Sequence, residues 1–313
     1  MLDLTHTPTL LQTASAVGVL FCSAATASLI AQRQGRYGGA LEMAKASGFL
    51  GAKATSQLLP QHHAAVVDGL QVVIEVLQPE IHSVLLEPWA LERTGIVVMA
   101  EAKAIGRSGT EMEAMMAVSV AALELFALMK DDDPELEVGH IKLVEKKGRK
   151  KKFFNSAPVC AVLVCSDSTA AGKREDNSGK IIKEMLQEAN AQVKYYQVLP
   201  DEKKQIQQQI RAWVAEDVQF IFTTGGTGLG PRDNTVEAVR ELLERDADGI
   251  AEAMRAYGQM RTPLAMMSRG VAGSIGQSLV VTLPGSSNGA RESLEAILPA
   301  VFHARKMMKG GGH

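Results

Sequence analysis

The chain has 313 residues, 46% of them hydrophobic and 22% charged, and a formal net charge of −2. That length favours two domains, each apolar enough for its own core. The charge argues against general nucleic-acid binding, which needs excess cations to displace counterions, and an aromatic content of 4% leaves little for base stacking. Cys22, Cys160 and Cys165 form neither a Cys-x-x-Cys pair nor an even set, so buried thiols in a reducing compartment, the cytoplasm, are expected.

Residues 4–32 contain no Asp, Glu, Lys or Arg. A signal peptide or membrane span is disfavoured because no basic region precedes the run, Asp3 opens it, and Thr, Ser, His and Gln interrupt it. The run reads instead as a strand and a buried helix ending near Gly35. A second helical pattern follows Gly38-Gly39 through Leu41, Ala44 and Gly48, and ends before Pro60. Residues 66–77 alternate like a strand, 95–104 read as another, 111–130 as a long alanine-rich helix apolar nearly all round, and 141–144 as a short closing strand. This order predicts an α+β sandwich over residues 1–145. The block Lys146-Lys147-Gly148-Arg149-Lys150-Lys151-Lys152 repels itself and reads as a basic linker, 146–156.

From 157 to 313 strands alternate with helices. The strands are expected at 159–165, 192–198, 218–223 and 278–283, and the helices at 178–188, 203–215 and from Thr235. That pattern predicts a doubly wound, parallel α/β domain, whose ligands collect at the carboxyl ends of the strands. Small and acidic residues stand at those ends: Ser166 and Asp167, Pro200 and Asp201, a glycine loop, then Pro284, Gly285 and Ser286. The loop places Gly225, Gly226, Gly228 and Gly230 between an apolar strand and a helix. Glycines let backbone amides approach a ligand and a helix N-terminus favours an anion, so phosphate is the expected guest. Neither common phosphate fingerprint fits: no Lys-Ser or Lys-Thr follows, and Pro231 stands where a third dinucleotide glycine would fall. Asp233, beside Arg232, is where Mg²⁺ between protein and phosphate would be held.

On these residues the chain from about Pro158 to Arg305 resembles the molybdopterin adenylyltransferase family of molybdenum-cofactor biosynthesis. The matching stretches are Ser166-Asp167, Asp176-Asn177-Ser178-Gly179, Leu199-Pro200-Asp201-Glu202, the run from Thr223 and Thr224 to Asp233, Ser268-Arg269-Gly270 and Leu283-Pro284-Gly285-Ser286. The resemblance implies that the terminal phosphate of molybdopterin attacks the α-phosphorus of MgATP and expels pyrophosphate. It makes Asp201 and Asp233 the catalytic Mg²⁺ ligands. The ATP and molybdopterin site would comprise Ser166, Asp167, Ser178, Gly179, Thr224, Gly225, Gly226, Thr227, Gly228, Ser268, Arg269, Pro284, Gly285 and Ser286, with the amides of residues 225–228 cradling phosphate.

Residues 2–144 resemble cyclic pyranopterin monophosphate synthase of the same pathway, which implies a ferredoxin-like sandwich. The similarity rests on Gly106-Arg107-Ser108-Gly109-Thr110-Glu111-Met112-Glu113-Ala114 running into Val118-Ser119-Val120-Ala121-Ala122-Leu123, and on 48–60 leading to His62-His63. His63 takes the family's histidine position, and a pterin site of His63, Glu111, Met112, Glu113 and Lys130 is implied. The family's catalytic lysine is replaced by Tyr37, its catalytic aspartate by Ala127, and an N-terminal arginine by Gln12. Tyrosine cannot pair with a triphosphate as an ammonium does, and alanine exchanges no proton, so a degenerate synthase domain is expected. The alternatives are a bifunctional enzyme in which Lys45, Lys53 or the linker substitutes, and a silent molybdopterin-binding scaffold. Both resemblances imply a homo-oligomer, trimer or hexamer, with no nucleic-acid or membrane partner.

Overall fold

The computed structural model describes residues 3–33, 37–147 and 156–311, and the chain divides into two units, Met1–Lys150 and Lys151–His313. The first unit runs β1 (Leu10–Phe21), α1 (Ala24–Ala31), α2 (Ala40–Leu58), β2 (Gly69–Val76), α3 (Pro79–His82), α4 (Pro88–Leu91), β3 (Gly95–Gly106), α5 (Glu111–Met129) and β4 (Glu137–Lys147). Its strands form one antiparallel sheet in the order β2-β3-β1-β4. The period of two sorts each strand between two cores. Ala14, Ala16 and Leu20 of β1, with Ile96, Val98 and Ala100 of β3, join the alanines of α2 and α5. Val17, Val19, Phe21 and Val97 face the other way, under Leu77, Leu86 and Ala90. The uncharged run is thus a central strand buried on both faces, followed by α1.

Helix α5 is long and apolar enough, by composition, to cross a membrane. Its Ala114, Ala117, Val118, Ala121, Ala122, Leu125 and Met129 are instead buried in the first core. Strand β4 is longer than the expected 141–144 because it is an edge strand, where lysines and glutamates sit without breaking the ladder. It draws Lys146 and Lys147 out of the expected linker, pairing them with Ala14 and Thr13; residues 148–155 of that linker lie outside the described residues.

The second unit runs β5 (Val159–Cys165), α6 (Asp167–Ala170), α7 (Ser178–Glu188), β6 (Gln192–Leu199), α8 (Lys203–Ala215), β7 (Phe220–Thr224), α9 (Thr235–Arg240), β8 (Arg245–Asp246) and α10 (Asp248–Gln259). A 3-10 turn (Pro263–Met267), β9 (Ala272–Ile275), β10 (Ser278–Leu283), α11 (Ser287–Ile297), a second 3-10 turn (Ala300–His303) and α12 (Ala304–Met308) complete it. The sheet order is β6-β5-β7-β10-β9-β8. The first four strands are parallel, but β9 pairs antiparallel with both β10 and β8, so the sheet is mixed rather than all-parallel. A two-residue turn at Gly276-Gln277 forces the reversal, since only antiparallel neighbours can be joined so tightly.

The inner parallel strands β5, β7 and β10 are covered on both faces, which explains their buried, mostly apolar runs. Cys160, Val162 and Val164 point to Ile182, Leu186, Met254 and Leu294 from α7, α10 and α11. Ala161, Leu163 and Cys165 point to Ile206, Ile210, Trp213, Val236 and Val239 from α8 and α9. All three cysteines are free and buried, and burial pushes the Cys22 and Cys165 thiols up to about 11 and about 12. Parallel packing brings the carboxyl ends of β5, β6, β7 and β10 to one edge.

Candidate functional site

Between Thr224 and Thr235 the backbone turns through Gly225 at φ +94° and Gly226 at φ +61°. Both values lie in the region that L side chains disfavour. Space forbids them too: a Cβ on Gly225 would overlap the Cys165 carbonyl, and one on Gly226 would overlap Asp201 Oδ2 and Thr235 Oγ1. Gly225 N–H donates to Leu283 O at 3.3 Å and Thr224 Oγ1 to Pro284 O at 2.8 Å. These bonds lace the loop to the end of β10, so Gly225's amide and Thr224's hydroxyl hold the fold and are not available to a phosphate. Among the described residues no protein group accepts from the amides of Gly226, Thr227 and Gly228.

Asp201 follows β6 and is buried, at 5% exposed. Its Oδ1 accepts from Thr235 Oγ1 at 3.1 Å and Asn234 N at 3.3 Å, leaving Oδ2 against Gly226. Burial raises its carboxyl above the ordinary value; Thr235 and Asn234 oppose this, while Asp233 and Asp167 add to it. Asp167 accepts from Asp201 N at 3.1 Å and from Arg232 Nε at 2.8 Å. The hydrogen bond from Arg232 is the chief reason its carboxyl lies below the ordinary range. Asp233 Oδ2 accepts from Gly230 N at 2.8 Å, leaving Oδ1 without a hydrogen-bond partner among the described residues. Each of Asp201 and Asp233 therefore offers one free oxygen.

These groups line a cavity of 540 Å³. Ser166, Asp167, Ser178 and Asp201 line it together with Thr224, Gly225, Gly226, Asp233, Gly285 and Ser286. The N-termini of α7 and α11 also open onto it through Ser178 and Ser287, and helix N-termini favour anions. Thr227, Gly228, Ser268 and Pro284 belong instead to a neighbouring cavity of 560 Å³, which shares Ser286 with the first and is walled by Met254, Arg255, Arg261 and Met267. What reads as one crevice in the sequence is thus two adjoining chambers.

Two expected contact residues turn inward. Arg269 Nε donates to Gly228 O at 2.7 Å and Nη2 to Asp233 O at 2.9 Å, while Nη1 pairs with Glu237. Its guanidinium is occupied by the loop itself. Gly179 N–H donates to Asp176 Oδ1 at 2.9 Å, and the residue packs against Val164 and the Tyr196 hydroxyl, outside both cavities. Sequence reasoning missed Thr235 as the partner of Asp201, and missed Arg255 and Arg261. Thr235 was visible only as a helix start, and the arginines of α10 and the turn after it follow no phosphate-loop spacing.

In the first unit, His62, next to the expected His63, faces Glu113, with Nε2 to Oε1 at 2.7 Å. Glu113 is 1% exposed and its Oε2 has no partner. Glu111 pairs with Lys146 of β4. Met112 follows Glu111 in the first turn of α5, whereas Lys130 caps its far end, about 28 Å away at 1.5 Å per residue. The five expected pterin-site residues therefore do not meet within this chain. Tyr37 and Gln12 are buried, at 7% each, and Ala127 is exposed on α5.

Residues 161–303 match the model of the probable molybdopterin binding domain, and residues 1–149 that of the MoaC family. The two matches together define a protein of molybdenum-cofactor biosynthesis. The chain is 36% identical over 313 residues to the molybdenum cofactor biosynthesis bifunctional protein of Chlorobaculum tepidum, covering 100% of this chain and 96% of that one. It is 34% identical over 316 residues to the protein of the same name from Synechococcus elongatus, covering 96% and 95%. Molybdenum cofactor biosynthesis protein B of Staphylococcus carnosus is 38% identical over 149 residues, covering 46% of this chain and 86% of that one. The chain belongs to the family of molybdenum cofactor biosynthesis bifunctional proteins.

Proposed function

We propose that the second unit adenylylates molybdopterin with MgATP, and that the first unit is a degenerate cyclic pyranopterin monophosphate synthase domain. The observation that carries this reading is the pair of cavities meeting at Ser286, separated by the glycine loop, with Asp201 and Asp233 facing the first. Two large anionic substrates need adjoining chambers and a shared point of reaction. The residues fit Mg²⁺, which is held by one or two carboxylates with phosphate and water oxygens rather than by an all-protein cage. Asp201 and Asp233 each leave one oxygen for it, and no group of three metal-ligating side chains exists among the described residues. When bound, the ion would neutralise phosphate charge.

The chain's own groups do the rest. The free amides of residues 226–228 and the start of α11 stabilise negative charge at the α-phosphorus. A terminal phosphate oxygen of molybdopterin, bound in the second cavity, forms the new P–O bond as the bond to pyrophosphate breaks and pyrophosphate leaves with the electron pair. Asp201 must be ionised to hold metal, so its raised carboxyl links metal affinity to pH.

For the first unit, the strand order β2-β3-β1-β4 with α2 and α5 on one face supports the ferredoxin-like reading. Loss of the acid at Ala127 and burial of Tyr37 support degeneracy. The separation of Glu113 from Lys130 supports a homo-oligomer, since a second copy could bring the two ends of α5 together. We place the protein in the cytoplasm, with no nucleic acid or membrane as partner. The test is titration of the full chain with a non-hydrolysable ATP analogue: saturable binding that requires Mg²⁺ is expected, and no metal-dependent binding at millimolar concentration would reject the reading.

A further inference from the structure

We infer that Arg269 is a positioning residue that fixes Asp233 and the wall between the two cavities, rather than a cation that touches phosphate. The inference rests on the adenylylation reading for its functional consequence, and on geometry for its structural part. Arg269 lies in the turn before β9, far in sequence from the loop it holds. Its backbone N–H donates to Thr227 O at 3.3 Å, its Nε to Gly228 O at 2.7 Å and its Nη2 to Asp233 O at 2.9 Å. Three donors of one residue thus bind three carbonyls spread over seven residues of the glycine loop. Glu237 of α9 receives Nη1 and pins the fork from behind, and Arg255 Nη1 holds the same turn through Gly270 O at 3.0 Å.

The consequence for Asp233 is direct. Its carbonyl is held by Arg269, its N–H donates to Gly230 O at 3.1 Å, and its Oδ2 accepts from Gly230 N at 2.8 Å. With both ends of the residue fixed, Oδ1 points in one direction. Thr227 and Gly228 line the second cavity, and Asp233 lines the first. One guanidinium therefore sets the spacing between the chamber for the nucleotide and the chamber for its acceptor. A lysine cannot replace it, because a single ammonium cannot reach separated acceptors in the fixed fork geometry of arginine.

The test uses the full chain and the variants Arg269→Lys, Arg269→Gln and Glu237→Gln. Hydrogen exchange of the 224–235 segment is read first, because it needs no activity. Both Arg269 variants should expose this segment about tenfold faster with little change elsewhere, and Glu237→Gln should move it the same way by less. Mg²⁺-dependent binding of the ATP analogue should weaken with exchange, and adenylylation should fall about 10- to 100-fold mainly in kcat, as expected for misplacement rather than lost contact. If the Arg269 variants do not fold, Glu237→Gln alone decides, since Arg269 is then present but unpinned. Unchanged exchange across all folded variants overturns the inference. If the parent chain binds no nucleotide, the adenylylation reading falls and the exchange result still decides whether Arg269 holds the loop.

Discussion

Thr235 Oγ1 donates to Asp201 Oδ1 at 3.1 Å, joining the first residue of α9 to the acid that follows β6. Both residues are buried, so the hydroxyl is, with the Asn234 amide, one of two hydrogen-bond donors that hold down a carboxyl already raised by burial. Thr235→Val keeps the shape and removes the donor, which raises Asp201 further. Metal needs the ionised form, so Mg²⁺-dependent nucleotide binding should strengthen with rising pH and reach its plateau at a higher pH than in the parent. The folding sign is opposite: a carboxyl with a raised folded value stabilises the fold below its unfolded value of 3.8, and that contribution disappears as pH rises through the folded value. Magnesium titrations from acid to neutral pH check this. Superimposable profiles would show that Asp201 does not meet the metal.

Gly226 and Gly276 separate backbone strain from site geometry. Both have positive φ, +61° and +54°, yet a Cβ on Gly276 meets nothing within 4 Å while one on Gly226 overlaps Asp201 and Thr235. Gly276→Ala should cost about 1–2 kcal/mol and leave nucleotide binding intact. Gly226→Ala should cost more and abolish binding. Denaturant unfolding and titration of both variants give the comparison, and equal losses of stability with equal binding would remove the loop from the site.

In the first unit, His62→Ala should lower stability by about 1–3 kcal/mol, because it strips Glu113 of its only described partner while Oε2 already lacks one. Urea unfolding with an unchanged midpoint would contradict this. Restoring synthase chemistry is harder than the sequence implies. A lysine at Tyr37 would enter a site only 7% exposed, where an ammonium is costly, so Tyr37→Lys with Ala127→Asp should destabilise the unit before it restores turnover. A double variant that folds like the parent and makes cyclic pyranopterin monophosphate would refute that expectation.

The ends of β5, α7, α8 and β10 fall where the apolar and helical patterns put them, because two-sided burial leaves continuous apolar runs and the helices begin at polar breaks. Strands β8 and β9 escaped notice: two and four residues are too short for a period, and the reversed course of β9 follows from a turn at Gly276. That Asp201 and Asp233 line one cavity was legible from their places after strand ends. The roles of Arg269 and Gly225 were not, since a motif shows that a residue stands near a site but not which way its donors point. The contact of His62 with Glu113 was equally hidden, as loop positions leave in directions that a sequence does not show and only the packed α5 reveals what they meet.

The measurement that bears most directly on the account is pyrophosphate release by the purified full chain supplied with molybdopterin, ATP and Mg²⁺, beside the Asp233→Asn variant. Asparagine keeps the size of Asp233 and removes the charge, so release should fall about a hundredfold or more while thermal unfolding stays as in the parent. A parent that releases no pyrophosphate above background, or an Asp233→Asn chain that turns over like it, would contradict the assignment of this site to adenylylation.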